Sequence, residues 1–205
     1  FDTIEIIGKT KLNPKFIAAY LDMQKGLPYD ERKVVAMDRR LNELPFIQLE
    51  RSSEVNFIND EARTKLFVNP RKNSRFNFIL GVLPNNNITG RLLLTGEAQL
   101  QLTNPFGTGK QLDFNWKALR ERTQELDLHL NYPYLLWSPL GLDFEFDLYK
   151  NDTSYLDVGY KTGLQYRLVG SNYLEVFLGQ KSTSLLEVDT NFVIQQMQLP
   201  PVIDV

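Results

Sequence analysis

The chain lacks cysteine and almost lacks histidine. Its 205 residues include no Cys and a single His, His129. Disulfides, thiolate metal sites and cysteine nucleophiles are therefore excluded, and a metal site would have only one imidazole available. The absence of cysteine does not assign a cellular compartment by itself.

Long apolar runs and an excess of one charge are missing as well. No run of about 18 apolar residues occurs, so the sequence predicts no transmembrane helix. The 23 Lys and Arg residues nearly balance the 25 Asp and Glu residues, for a formal net charge of -2. Without a basic stripe or an acidic tail, nucleic acid is not an expected partner.

The first part of the chain has a mixed α and β pattern. Asn13 suits a helix N-cap and Pro14 the first helical position, and Pro45 stops a second amphipathic helix. Asn59-Asp60 favours a tight turn between two later strands. The predicted order is β-α-α-β-β, at Thr3 to Leu12, Pro14 to Met23, Asp30 to Leu44, Phe46 to Ile58 and Glu61 to Val68.

From Arg75 onward, apolar and polar residues alternate in long segments. The longest runs from Leu156 to Leu168. Alternation predicts a sheet with one apolar and one polar face. Several segments match the about 9 to 11 residues of a tilted membrane strand, whereas strands of soluble proteins average about 5 to 6. We predict about seven antiparallel, membrane-type strands, which form an incomplete barrel because closure needs about 8 or more.

A soluble sandwich, in which apolar faces pack together, is the alternative interpretation of this alternation. In an outer-membrane barrel the apolar faces contact lipid and the polar faces line a lumen. Short connections and aromatic residues near the strand ends favour the barrel.

Three stretches resemble the outer-membrane assembly and translocation superfamily, whose members carry polypeptide-transport-associated (POTRA) domains ahead of a 16-stranded barrel. They are Gly26 to Phe46, similar to the POTRA second helix; Leu94 to Gly109, similar to the second barrel strand and its turn; and Tyr132 to Leu135, similar to a fourth-strand "PY" segment. The family's Arg-Gly-Phe/Tyr segment is absent, as expected if later barrel strands lie beyond Val205.

The resemblance implies an α+β POTRA-like periplasmic domain at 1–72, the N-terminal barrel strands at 73–194 and a loop or linker at 195–205. It implies a non-enzymatic protein of the bacterial outer membrane, without a cofactor, that inserts or translocates polypeptides. Its expected partners are outer-membrane lipids, client polypeptides and other envelope or assembly-machinery proteins.

Three groups of site residues follow from the resemblance. A POTRA edge strand would bind a partner strand through Phe46, Gln48, Glu50 and Ser52. The lateral seam of the barrel would contain Phe76, Phe78, Leu80 and Gly81. The predicted lipid-facing residues are Leu94, Leu100, Leu112, Phe114, Trp116, Leu128, Phe144, Phe146 and Tyr166.

Other classes of function stay open at this stage. The chain would also suit the membrane anchor of a patatin-type lipase, or a soluble β-rich binding protein. His129 as a metal ligand, and Asp143, Glu145 and Asp147 as catalytic carboxylates, are less favoured than ordinary lumenal side chains. Gly107 to Lys110 is not a phosphate loop, because it leads into a strand.

Overall fold

A computed structural model describes residues 1–59, 61–84, 92–120, 123–152, 154–168 and 172–186, with the main chain alone at 83–84, 92–94 and 119. The elements, in chain order, are β1 (Thr3–Ile7), α1 (Pro14–Leu21), α2 (Glu31–Glu43), β2 (Ile47–Leu49), β3 (Glu54–Ile58), β4 (Glu61–Pro70), β5 (Arg75–Pro84), β6 (Leu92–Thr103), β7 (Gln111–Arg120), β8 (Thr123–Tyr132), a 3-10 turn (Leu135–Trp137), β9 (Leu140–Asn151), β10 (Tyr155–Arg167) and β11 (Tyr173–Leu185).

The smaller of two sheets is built around β4. Strand β1 pairs with it in parallel on one side, from Thr3 opposite Arg63 to Ile7 opposite Phe67. Strands β2 and β3 both pair with it antiparallel on the other side. The order of elements follows the predicted β-α-α-β-β, except that the fourth segment, predicted as one strand, is divided into β2 and β3.

The prediction of one continuous strand from Phe46 to Ile58 is wrong. Residues 50–53 separate β2 from β3. In this break the Glu50 N–H donates to the Phe67 carbonyl (2.9 Å). The Ser53 N–H donates to the Asp38 carboxylate on α2 (3.2 Å). The backbone of the break is thus hydrogen-bonded to a strand and a helix, and it does not extend the edge.

Both helices begin where the sequence predicts. The Asn13 side chain accepts from the Lys15 N–H (2.9 Å), and the Asp30 side chain accepts from the Arg32 N–H (3.0 Å). Each bond satisfies one of the free donors in a first helical turn. Helix α1 ends at Leu21, before the predicted Met23, because Asp22 adopts a left-handed conformation (φ 55°).

The apolar stripes of the helices form the core of this smaller unit. Phe46 also belongs to this core, since its side chain is only 5% exposed. Burying such side chains is the main favourable term for folding. The most deeply buried apolar residues are Phe16, Ile17, Leu21, Met23, Met37, Leu41, Ile47, Leu66 and Val68.

The larger sheet contains the seven strands β5 to β11 in consecutive order, each antiparallel to the next. This confirms the predicted seven-stranded antiparallel sheet. Its strands are 10 to 13 residues long, which exceeds the about 5 to 6 of typical soluble strands. No helix in the described part of the chain is long and apolar enough to span a membrane.

Truncating Leu41 tests the core of the smaller unit. We expect Leu41→Ala to lower the free energy of unfolding by about 2–5 kcal/mol, because it leaves a cavity among fully buried side chains. Val35→Ala on the same helix is the control, since Val35 is 78% exposed. Urea titration followed by tryptophan fluorescence measures both, and equal midpoints would contradict the assigned core.

Candidate functional site

Strand register divides the larger sheet into two chemically distinct faces. On one face, Phe76 is opposite Leu100, and the same row continues through Phe114 and Leu128 to Phe146. We call this side the apolar face and the opposite side the polar face. Every acidic residue of β5 to β11 whose side chain is described lies on the polar face, namely Glu97, Asp113, Glu125, Asp127, Asp143, Glu145, Asp147, Asp157 and Glu175.

The exposure of the two faces is the reverse of that in a soluble sheet. On β10, Leu164 is 51% exposed and Tyr166 is 50% exposed, whereas Gln165 between them is 1% exposed. On β9, Asp143 of the polar face is 6% exposed while Leu142 is 37% exposed. Water-soluble proteins usually bury the apolar side of a half-covered sheet, whereas here the apolar side chains of β9 and β10 are the more exposed ones.

The predicted lipid-facing residues share the apolar face. Tyr166 is exposed, and the other described side chains of the set are partly covered by their neighbours in the sheet. The side chain of Leu94 lies outside the described residues. Within the described ranges, the buried core cluster includes no residue from strands β5 to β11, so the core of the smaller unit does not extend over this face. The partly covered members are Leu100, Leu112, Phe114, Trp116, Leu128, Phe144 and Phe146.

Hydrogen bonds link polar side chains from three strands near one end of the polar face. His129 Nε2 lies 2.9 Å from Asp143 Oδ2, and the Asn131 amide donates to the same oxygen at 2.8 Å. Asn131 also donates to Gln165 Oε1 (3.2 Å). The Arg167 guanidinium donates to Gln165 Oε1 (2.7 Å) and to Asn131 Oδ1 (3.1 Å). We refer to these five residues as the polar network.

Small residues on the polar face leave room for long polar side chains. A Cβ atom at Gly163 would overlap the carboxylate of Glu175, and one at Gly159 would overlap that of Asp147. Glu175 in turn accepts a hydrogen bond from the Gln165 amide (3.1 Å), which extends the polar network to β11. Glycine at these positions thus permits the carboxylates of Asp147 and Glu175 to lie close to the backbone of β10.

His129, Asp143 and Glu145 have potential ligand atoms within 4.8 Å of one another. The Asp143 oxygen already accepts from Asn131, and Glu145 pairs with Lys161 at 2.9 Å. A metal ion would have to compete with these partners for the same oxygen atoms. Asp143, Glu145 and Asp147 all lie on the polar face of β9, as predicted.

Strands β5 and β11 are the two edges of the larger sheet. The seam residues predicted on β5 are exposed, with Phe76 at 73%, Phe78 at 52% and Leu80 at 53%. Gly81 lies opposite Thr95, and pairing with β6 continues as far as Pro84. Neither edge has a further partner strand among the described residues, so backbone donors and acceptors remain available there.

The residues predicted for the edge of the smaller sheet occupy different environments. Phe46 belongs to the core, and Glu50 and Ser52 lie in the break between β2 and β3. Only Gln48 lies within an edge strand, and it is exposed. The sequence pattern of residues 46–58 did not indicate where their pairing with β4 is interrupted. The interruption depends on hydrogen bonds to β4 and α2, which are distant in the chain.

No protein-family model matches the sequence, and no curated protein matches it. The fold is nevertheless that of an incomplete membrane-type β-barrel. Its long antiparallel strands, the greater exposure of apolar than of polar side chains on β9 and β10, and the attached helical module define this class.

Solved structures show the same fold. BamA from Haemophilus ducreyi lacking POTRA domains 1-3 is similar over 97% of this chain, with a TM-score of 0.54 and 15% identity. CdiB from Acinetobacter baumannii is similar over 94% of this chain, with a TM-score of 0.51 and 12% identity. The chain spans 40% of the length of each. The predicted resemblance to outer-membrane barrel proteins is thereby confirmed at the level of the fold.

Replacing Gln165 tests whether the polar network stabilises the sheet. Gln165→Leu has a similar volume but removes hydrogen bonds to Asn131, Arg167 and Glu175. We expect a loss of about 1–3 kcal/mol, since buried polar partners are left unsatisfied. Gln101→Leu, at an exposed position of the same face, is the control. Denaturant titrations of both variants in the same detergent would contradict the assignment if their stabilities agreed.

Proposed function

We propose that this protein inserts or translocates polypeptides across the bacterial outer membrane, without catalysing a covalent reaction. The observation that supports the proposal most strongly is the reversal of burial on β9 and β10. Contact with lipid makes the exposure of an apolar face favourable. A water-filled lumen solvates a charged, hydrogen-bonded polar face.

The proposed organisation has a POTRA-like periplasmic domain at residues 1–72 followed by barrel strands at 73–194. The helices and the small sheet around β4 support the first assignment, and the seven-stranded sheet supports the second. Residues 187–205, which include the predicted loop or linker at 195–205, lie outside the described part of the chain. Lipids, client polypeptides and other envelope proteins are the proposed partners.

Two open strand edges provide the proposed mechanism. An extended polypeptide can pair with an exposed edge through main-chain hydrogen bonds, which do not require a particular sequence. We propose β3 as the accepting edge of the small sheet, with Gln48 of β2 beside it, and β5 as one side of the barrel seam. Pairing first at β3 and then at β5 would keep a client's backbone hydrogen-bonded as it leaves water.

An arginine on the apolar face tests the lipid assignment. Leu128→Arg places a charge in the middle of β8, so we expect it to weaken folding into phosphatidylcholine vesicles by about 2–4 kcal/mol. Asp127→Arg, the neighbouring position on the polar face, should cost much less. Folding free energies from urea titration in vesicles measure the difference. Equal losses for the two variants would remove the basis of the proposal.

A proline on β3 tests strand pairing at the small sheet. The Ala62 carbonyl accepts from the Asp2 N–H (3.0 Å) on the β1 side of β4, so Ala62 and its opposite residue Phe57 form a non-hydrogen-bonded pair and the Phe57 N–H faces the open edge. Phe57→Pro removes this donor, whereas the control Phe57→Ala removes only the ring, which is 61% exposed. The client is a urea-unfolded eight-stranded outer-membrane barrel.

We expect Phe57→Pro to slow client insertion by the protein in liposomes by about tenfold, for a lost hydrogen bond of about 1.4 kcal/mol, and Phe57→Ala to leave it nearly unchanged. Appearance of heat-resistant folded client on gels measures the rate. Equal rates for the two variants would exclude β3 as the accepting edge, and no insertion above empty liposomes by the unmodified protein would contradict the proposed function.

A further inference from the structure

The turn between β8 and β9 contacts the helical module directly. The side chain of Tyr134 in this turn is 5% exposed and belongs to the buried core of the smaller unit. Its ring lies 5.8 Å from that of Phe16 and 6.3 Å from that of Tyr20, both in edge-to-face geometry. Edge-to-face aromatic pairs are favourable beyond the area they bury. Tyr134 is thus a member of the module's core that belongs, in sequence, to the larger sheet.

A second turn contacts the start of α1. The Asn13 N–H donates to the Gly107 carbonyl (2.8 Å) in the connection between β6 and β7. A Cβ atom at Gly107 would overlap the Lys11 carbonyl, and one at Gly109 would overlap the Phe16 ring. Both glycines have positive φ values, 72° and 75°. Only glycine allows the backbone of this turn to approach the module so closely.

Backbone strain is concentrated in the turn that holds Tyr134. Tyr134, Leu136 and Trp137 all have left-handed conformations, with φ values of 54°, 52° and 66°. Non-glycine residues adopt this conformation at a cost, so the surrounding structure must maintain it. The Trp137 carbonyl accepts from the Gln24 side chain of the module (3.2 Å). Leu136, by contrast, is 83% exposed and provides no comparable packing.

The Tyr134 hydroxyl lies within electrostatic reach of both units. Burial raises the pKa of Tyr134, while the positive charges of Arg167 and Arg40 act in the opposite direction. Arg40 belongs to α2, and Arg167 belongs to the polar network on the larger sheet. Charges from both the module and the larger sheet therefore act on the Tyr134 hydroxyl.

We propose that Tyr134 is a positioning residue that fixes the module to the larger sheet, so that the two move as one body. The strained turn keeps its left-handed backbone because the Tyr134 ring is buried between Phe16 and Tyr20. The consequence for activity rests on the proposed function: β3 is held at a constant distance from the polar face.

The test measures the distance between two spin labels. The chain has no native cysteine, so Val35→Cys on exposed α2 and Ser154→Cys in the exposed turn after β9 give the only labelled sites. Pulsed electron–electron double resonance on the protein in detergent measures the distribution of distances between the two labels, including its width. A fixed module gives a narrow distribution.

Three variants separate the ring from the backbone of the turn. Tyr134→Gly removes the ring and also relieves the positive φ, so the turn should still form. Leu136→Gly relieves a similar φ in the same turn without removing a packed ring. Tyr134→Phe retains the ring without the hydroxyl. We expect the width to increase to about twice its value for Tyr134→Gly, as for a hinged domain, and to remain unchanged for the other two variants.

Two results would overturn the inference. A narrow distribution for Tyr134→Gly would show that the ring does not fix the module, and an equal broadening in Leu136→Gly would assign the effect to the turn backbone. Circular dichroism verifies that each variant keeps its strands. Because labels report geometry and liposome insertion reports activity, failure of this inference is distinguishable from failure of the proposed function.

Discussion

Continuous antiparallel pairing is the constraint on which the larger sheet depends. Each of its seven strands is hydrogen-bonded to the next, and the period of two then assigns every side chain to one of two faces. Because the five pairings from β5 to β10 place the apolar face of each strand beside that of the next, the apolar row is continuous from Phe76 to Tyr160. A shift of one residue in any pair would place carboxylates among leucines, so register and environment specify each other.

The two faces are stabilised by different interactions. The polar face has hydrogen bonds between side chains, in which Asp143 and Gln165 are buried and have partners. The apolar face has few buried contacts within the described part of the chain, and its stability depends on what surrounds it. A soluble sandwich would bury this face under a second layer. The observed exposure therefore favours lipid over the soluble binding protein considered from the sequence.

The smaller unit is stabilised as an ordinary soluble domain, by a core of apolar side chains from two helices and a sheet. It meets the larger sheet at turns rather than at strands. Tyr134 contributes ring packing, Gly107 a close backbone approach, and the Trp137 carbonyl accepts a hydrogen bond from Gln24. The two units keep separate modes of stabilisation because the contact uses turns of the larger sheet: Tyr134 enters the core of the smaller unit from the connection between β8 and β9, and the strands themselves stay outside that core.

The sequence by itself determined the helix starts at Asn13 and Asp30, the seven alternating strands and the face on which Leu128 or Asp143 lies. These features follow from local rules: capping chemistry and the two-residue period of a strand. Tertiary structure decided the break after Leu49, the hydrogen bonds that join Asn131 to Arg167, and the burial of Tyr134 against α1. Those features join residues distant in the chain, and neither composition nor periodicity specifies which distant side chains meet.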